Sequence, residues 1–481
     1  MSDETSLNAQ FATVDGITLP NHMHLPPEIY AEIFLELAAR GSRGDILRDN
    51  PHWRKPNPNI PFTLGAVCRY WRDIIRSTPL MWSEINLRLH PTHLVHHFCY
   101  LDHFLNHSGT CPLTITMGFE KEEAEEWLPA LVSSYLEDSD LFPLIKLLLS
   151  SAPRWRCVDI TISEIWLPDF AKESHRLPNL TSMRVKPIWN DNLQPIFNRA
   201  NFDFLRHSPA LRELHIRDFW IPYADIPWKQ LQRLTLKNRK WDESLYVLAQ
   251  AQNLVWCRLE GLLIREWPQH TPPPDGETSV VLRSLRNLVL KDTGYYPSAR
   301  VLEHILTDLS YPILECLEIS APRFPSDISA RLSKGDVRLT HLAISNLRDE
   351  IQGLVHCLRE MPLLERVDIS VDRGRHIHGG FFKTIFVKPH PPKSSNYTLP
   401  NLQHFSFSGP IALKNSNLDR LLLNILHFRQ LQPQPRTKLL LSFKLETVGQ
   451  FPPSSDVKRK MERFSERGLD LRIRCGGVNW L

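Results

Sequence analysis

A short apolar pattern, L-x-x-L-x-L with conservative replacements, constrains this chain more than any other feature. It recurs ten times, at Trp155–Ile160, Leu180–Val185, Leu211–Ile216, Leu231–Leu236, Leu254–Leu259, Leu285–Leu290, Leu314–Ile319, Leu339–Ile344, Leu364–Ile369 and Leu402–Phe407. Successive starts lie between 20 residues apart (211 to 231) and 38 apart (364 to 402). Side chains alternate along a strand, so the apolar positions face inward while the third, fifth and seventh positions line the opposite surface. One such strand cannot bury its apolar side alone. Strands stacked side by side bury it together.

The intervening segments carry a different period. Asp242–Gln252, Ser298–Ser310, Glu350–Met361 and Asn417–Arg429 have helical spacing, as in Leu354, Leu358 and Met361. A proline often stands just before the first apolar residue of a unit, as at Pro178, Pro209, Pro312, Pro362 and Pro400. It ends the preceding helix and leads into the strand. Strands alternating with helices predict an α/β fold whose parallel sheet carries helices on its outer side. Residues 141–481 resemble the leucine-rich repeat family, and the resemblance implies an irregular solenoid. The family's asparagine after the strand has no regular position here, and Pro272-Pro273-Pro274 and Pro391-Pro392 interrupt the array. The alternative is a non-solenoid α/β domain in which L-x-x-L-x-L is ordinary strand composition.

The N-terminal part reads as helical. Leu25-Pro26-Pro27-Glu28-Ile29 opens it, with proline tolerated in a first turn and Glu28 favouring the helix dipole. Leu25, Ile29, Ile33 and Leu37 recur every four residues, with Phe34 beside them, which predicts one apolar face of a helix of about fifteen residues ended by Gly41. A polar connection, Arg43 to Asn59, leads to a second helical pattern at Leu64, Val67, Cys68, Trp71, Ile74 and Ile75. Pro79 closes it, and Leu80-Met81-Trp82 add an apolar anchor. Helices this short bury only a small core and commonly leave an apolar face for a partner.

In order, Leu25-Pro26-x-Glu28-Ile29, Ile33-Phe34, Val67-Cys68-Arg69-x-Trp71 and Pro79-Leu80-x-Trp82 resemble the F-box, over residues 22–86. The resemblance implies a small all-helical module that binds a Skp-type adaptor and, through it, a cullin. It also implies that Leu25, Pro26, Ile29, Ile33, Val67, Cys68 and Trp71 form the module's core or its adaptor face. The connection Arg43–Asn59 is longer than the family's and basic, and reads as a solvated loop. The combined layout resembles fungal F-box proteins with degenerate leucine-rich repeats.

The expected organisation is a disordered tail at 1–21, the F-box at 22–86, a bridging segment at 87–140 and the repeat array at 141–481. Within the bridge, His93–Phe104 reads as a helix and Pro112–Met117 as a strand. The net charge of +4 gives no reason to expect nucleic acid as a partner. No stretch approaches about 18 apolar residues, so no membrane span is expected, and Met1–Asn21 lacks the apolar core of a signal peptide. The eight cysteines form no C-x-x-C pair and read as buried, inert thiols in a reducing cytoplasmic or nuclear setting. The sequons at Asn106, Asn179 and Asn396 then read as chance matches.

No G-x-S-x-G, H-E-x-x-H or phosphate-binding loop occurs. A non-catalytic chain without cofactor is expected. His90, His93, His96, His97, His103 and His107, near Cys99, read as surface or packing residues of a helix rather than as metal ligands. The polar strand positions supply the candidate substrate site: Arg184, Lys186, Arg217, Lys237, Arg258 and Lys291 with Trp256 form a basic half, suited to an acidic or phosphorylated segment of a protein substrate. The second half of that face, including Glu318, Asp368, Ser370 and Ser408, reads as neutral to mildly acidic. Two functions follow: a substrate receptor of a ubiquitin ligase, or a scaffold that binds the adaptor without directing ubiquitin transfer.

Overall fold

A computed structural model describes residues 25–40, 59–90, 93–119, 141–162, 177–187, 202–217, 219, 225–238, 240–262, 280–291, 302, 305–306, 308–322, 337–347, 352–372, 377–378, 380–386, 399–412, 422–427, 438–447 and 455–480. The expected tail at 1–21, most of the Arg43–Asn59 connection, the two proline clusters and much of the 298–310 and 417–429 segments lie outside the described residues. The chain divides into two compact units, Met1–Thr161 with His175–Leu180, and Ile162–Ser174 with Thr181–Leu481.

The first unit begins with α1 (Pro27–Arg40), α2 (Ile60–Gly65) and α3 (Arg69–Arg76), followed by a 3-10 turn at Pro79–Trp82. One helix across Leu64–Ile75 was the expectation from spacing, and it is corrected here: the chain breaks at Ala66–Cys68. Cys68 is extended (φ −157°, ψ 169°), and its Sγ accepts the Trp71 N–H at 3.4 Å, which starts α3 afresh. Next come β1 (Glu84–Leu89), α4 (Leu94–His107), β2 (Leu113–Phe119), α5 (Leu141–Ser150) and β3 (Trp155–Ile162). The three strands pair in parallel. Ile85 stands opposite Ile115, which stands opposite Val158, and Leu87, Met117 and Ile160 form the next row. All six side chains are buried. Trp155 is buried too, its Nε1–H donating to Ser151 Oγ at 3.0 Å.

The second unit is a large, mostly parallel sheet. Its strands β4 (Ser182–Pro187), β5 (Glu213–Arg217), β6 (Arg233–Lys237), β7 (Trp256–Glu260), β9 (Asn287–Lys291), β11 (Cys316–Ser320), β12 (His341–Leu347), β13 (Arg366–Val371), β15 (His404–Ser408), β17 (Ser442–Thr447) and β18 (Asp470–Cys475) lie side by side in chain order. A final β19 (Val478–Asn479) pairs antiparallel with β18. The two-residue strands β8 (Val280–Val281) and β10 (Leu309–Ser310) pair with each other, as do β14 (Ile377–His378) and β16 (Ile411–Ala412). Helices α6 (Trp241–Gln250), α7 (Gln352–Arg359), α8 (Gly380–Phe386) and α9 (Ser455–Glu466) separate strands.

Every apolar repeat in this unit becomes a strand that starts at its third position, and neighbours pair in register. The fourth and sixth positions are buried throughout, as in Leu214, Leu234, Cys257 and Leu288. Late in the sheet this core turns aromatic: Phe405 stacks on Phe443 with centroids 5.5 Å apart, and Phe386 of α8 meets Phe405 edge-on at 4.8 Å. The eighth position supplies the turn out of several strands. Asn238 and Gly261 sit there at φ 54° and 62°, and Gly409 at φ 146°, whereas Asn346, at φ 62°, lies inside β12 where its pairing with β13 shifts register. A Cβ on Gly409 would lie 2.9 Å from Val371 Cβ, so only glycine fits that close approach.

Among the described residues no helix is long and apolar enough to cross a membrane. Cys157, Cys257, Cys357 and Cys475 are buried, as expected, but Cys68 and Cys99 are exposed, and Cys111 and Cys316 are half-buried. The uniformly buried set is therefore corrected. Polar strand positions and a helix cap bring some of these thiols to the surface.

Candidate binding surfaces

Two surfaces collect the candidate residues, one in each unit. In the first, helical spacing puts Ile29, Ile33 and Leu37 on one side of α1, with Leu25 just before it, and all four are 42–46% exposed. Phe34, on the opposite side, is buried against Trp71, with centroids 4.8 Å apart, and Tyr30 stands 6.0 Å from the same ring. Trp71 is thus a packing residue of the helical layer. Val67, just before α3, is 59% exposed, and Tyr70 in α3 and Leu80 in the following 3-10 turn are exposed as well. Pro26 is exposed, and its carbonyl receives the Ile29 N–H at 3.0 Å. Of the seven residues assigned to core or adaptor face, Leu25, Pro26, Ile29, Ile33, Val67 and Cys68 face solvent, and Trp71 is half-buried. Exposed leucines, isoleucines and valines in this number make the side a candidate interaction surface.

The histidine-rich segment has another role. His103 and His107 lie 4.1 Å apart, and His103 packs against Trp82 at 4.9 Å and Phe62 at 5.8 Å. The His90 N–H donates to His97 Nε2 at 3.2 Å. These rings pack on α4 and its neighbours, and no group of three metal-ligating side chains forms among the described residues.

In the second unit the third, fifth and seventh positions form one polar face, mostly half-buried. The strand register makes Arg184, His215, Thr235 and Arg258 one row, and Arg217, Lys237, Glu260 and Lys291 another. The predicted basic residues therefore do converge on adjacent strands. Acidic residues sit among them. Glu260 pairs with Lys237 and lies 3.3 Å from Arg258, while Lys291 lies 3.5 Å from Glu318. Burial of Glu260 works against its charge, but the Lys237 hydrogen bond and the cations of Lys237, Arg258 and Lys291 outweigh it and hold the carboxyl below its usual range.

Trp256 is half-buried rather than open. The Arg233 guanidinium lies 4.6 Å over its ring, and Arg233 also lies 3.6 Å from Glu213. Sequence reasoning passed over Arg233, although it occupies the third position of its repeat, as Trp256 does of the next.

His215 reports the local field. Burial first, then Arg184, Lys186, Arg258 and Lys237, pull its pKa from 6.5 down to about 2. The imidazole stays neutral in the fold, among cations that still outweigh nearby carboxylates. The unfolded chain takes up a proton near pH 6.5 and the folded chain does not. Stability is therefore full above that pH and declines as pH falls toward 2, at up to about 1.4 kcal/mol per pH unit for one group. His215→Asn should flatten this decline. Urea midpoints at neutral and mildly acidic pH measure it, and an unchanged acid loss in the variant would show that His215 does not carry it.

A scan against protein-family models finds no match, and a search of curated proteins finds no match either.

Proposed function

We propose that this chain is the substrate-recognition subunit of a Skp–cullin–F-box ubiquitin ligase. One observation carries the reading: the residues spelling the ordered L-P-x-E-I, V-C-R-x-W and P-L-x-W motifs leave Leu25, Ile29, Ile33 and Val67 exposed while Trp71 and Trp82 pack inward. That division suits a helical module docking its apolar side on an adaptor. In the same reading the ordered parallel strands of the second unit are an irregular leucine-rich repeat solenoid, and its polar face holds the substrate. Binding by a purified Skp-type adaptor tests the first half. Cullin-dependent turnover of a captured protein separates a receptor from a scaffold.

The basic rows around His215 are the proposed docking site for an acidic or phosphorylated segment. Arg217→Glu together with Lys237→Glu should weaken capture of phosphorylated peptides from an immobilised library by about tenfold or more. Capture should also lose its salt sensitivity. Unchanged capture by a variant with a normal circular dichroism spectrum would remove this face from the reading.

A further inference from the structure

The polar face carries a second constellation, apart from the basic rows. Cys316 on β11, His341 on β12 and Asp368 on β13 form a continuous chain of contacts. Cys316 Sγ lies 3.3 Å from His341 Nδ1, and His341 Nε2 lies 2.9 Å from Asp368 Oδ2. Arg366 Nε–H donates to the same Asp368 oxygen at 2.7 Å, which fixes the carboxylate. A thiol, a ring nitrogen within reach of it, and a carboxylate holding the other ring nitrogen are the arrangement that activates a nucleophile. The two partners of His341 use opposite ring nitrogens, so they do not converge on one metal ion.

The register builds this chain. Cys316, His341 and Arg366 are third-position residues of three consecutive repeats and stand opposite one another in turn. Asp368 is the fifth-position residue of the last. The thiol is half-buried, and the His341 and Asp368 side chains are 30% and 28% exposed, so a small reagent can reach them. The charged and titratable groups facing His341 are Cys316 and Glu318 from β11, and Arg366 and Asp368 from β13. His404 follows on β15.

We propose that Cys316 is a nucleophilic thiol, activated by His341 and Asp368, that takes small disulfides into a mixed disulfide on this face. His341 stands as the imidazolium, its Nε2–H held by Asp368 and its Nδ1–H facing the sulfur, and the Cys316 proton passes to water. The thiolate attacks one sulfur of the disulfide, forming a new S–S bond to Cys316 as the reagent's S–S bond breaks. The departing thiolate takes up a proton from water. Protein thiol and disulfide thus become protein mixed disulfide and free thiol, with no net oxidation. In support, the hydrogen bonds to Asp368 and then to Cys316 raise the His341 pKa from 6.5 to about 9, against the effect of burial. A cationic ring 3.3 Å from Cys316 Sγ is the electropositive setting in which cysteines act as nucleophiles. The inference stands independently of the ligase reading.

The test uses the intact chain and an aromatic disulfide that releases a coloured thiolate. Modified cysteines are mapped by mass spectrometry near pH 6, where ordinary thiols are almost wholly protonated. Cys316 should be modified about tenfold faster than the exposed Cys68 and Cys99 in the same sample. His341→Gln should lower the Cys316 rate to theirs without changing theirs. Asp368→Asn, which keeps an acceptor on His341, should give a smaller loss and move the pH profile of the reaction upward. Equal rates for Cys316 and Cys99 in the native chain would overturn the proposal. So would a Cys316 rate that survives His341→Gln in a variant with native circular dichroism.

Discussion

Replacing Ile29 and Val67 together with lysine should abolish binding of a Skp-type adaptor while leaving the fold and its thermal midpoint unchanged. Both side chains are already about half in water, so the folded chain loses little when they become charged. An interface that covers them loses more. Burying one such side chain from full exposure contributes about 1.5–3 kcal/mol, so covering the exposed half of two contributes about 1.5–3 kcal/mol together. Each 1.4 kcal/mol is about a factor of ten, so this alone should lower affinity about ten- to a hundredfold, and the desolvation of two lysines carries the fall beyond a hundredfold. Calorimetric titration with purified adaptor measures the loss. Binding that persists within about threefold would move the adaptor elsewhere or remove it. Trp71→Ala behaves differently: it takes away a ring packed on Phe34, so it should lower stability as well as binding.

The strand positions of this fold were legible, and their partners much less so. All ten apolar repeats are strands, because a buried fourth and sixth position is written directly in leucine, isoleucine and valine. Three further strands longer than two residues were missed. Trp82-x-x-Ile85-x-Leu87 and Leu440-x-x-Phe443-x-Leu445 fit the same pattern, and they became β1 and β17. The first was hidden because Trp82 already served as the end of a helical motif, and the second because the run Leu439-Leu440-Leu441 leaves the register of its first position open. β18 escaped because Gly468 stands where its first apolar residue would be. The break before α3 escaped as well, because Val67, Cys68 and Trp71 keep helical spacing through a helix cap.

The sites show the same asymmetry. Reading the seventh positions found Arg217, Lys237 and Lys291, but the ion pairs that partly neutralise them depend on which repeats are adjacent. Glu260 was visible as a seventh-position residue; its hold on Lys237 and Arg258 was not. Cys316, His341 and Asp368 are each separated by at least 25 residues, and no local motif joins them. Parallel pairing joins them, since equal positions of consecutive repeats become neighbours across the sheet. The sequence held the signal as the third positions of two repeats and the fifth position of the next, readable only once the repeats are aligned with one another.

Trp82→Ala should cost the first unit about 3–5 kcal/mol, the usual range for deleting a large buried ring. The indole is 3% exposed, with Phe62 at 5.7 Å, Phe104 at 5.2 Å and His103 at 4.9 Å around it. Its Nε1–H donates to Ile75 O at 2.9 Å, so truncation also removes one of that buried carbonyl's hydrogen bonds and leaves it the Thr78 N–H at 3.1 Å. Trp82→Phe separates the two contributions. It keeps most of the ring and loses the hydrogen bond, and should cost about 1–3 kcal/mol. Urea unfolding followed by far-ultraviolet circular dichroism measures both variants, and a loss below about 1 kcal/mol for Trp82→Ala would contradict the packing around the indole. The comparison with Ile29 and Val67 then becomes informative. Trp82→Ala should weaken adaptor binding only as far as it unfolds the helices that present the apolar face, so lowering the temperature should restore binding to that variant. The same change should restore none to the lysine variant, whose fold was never at fault.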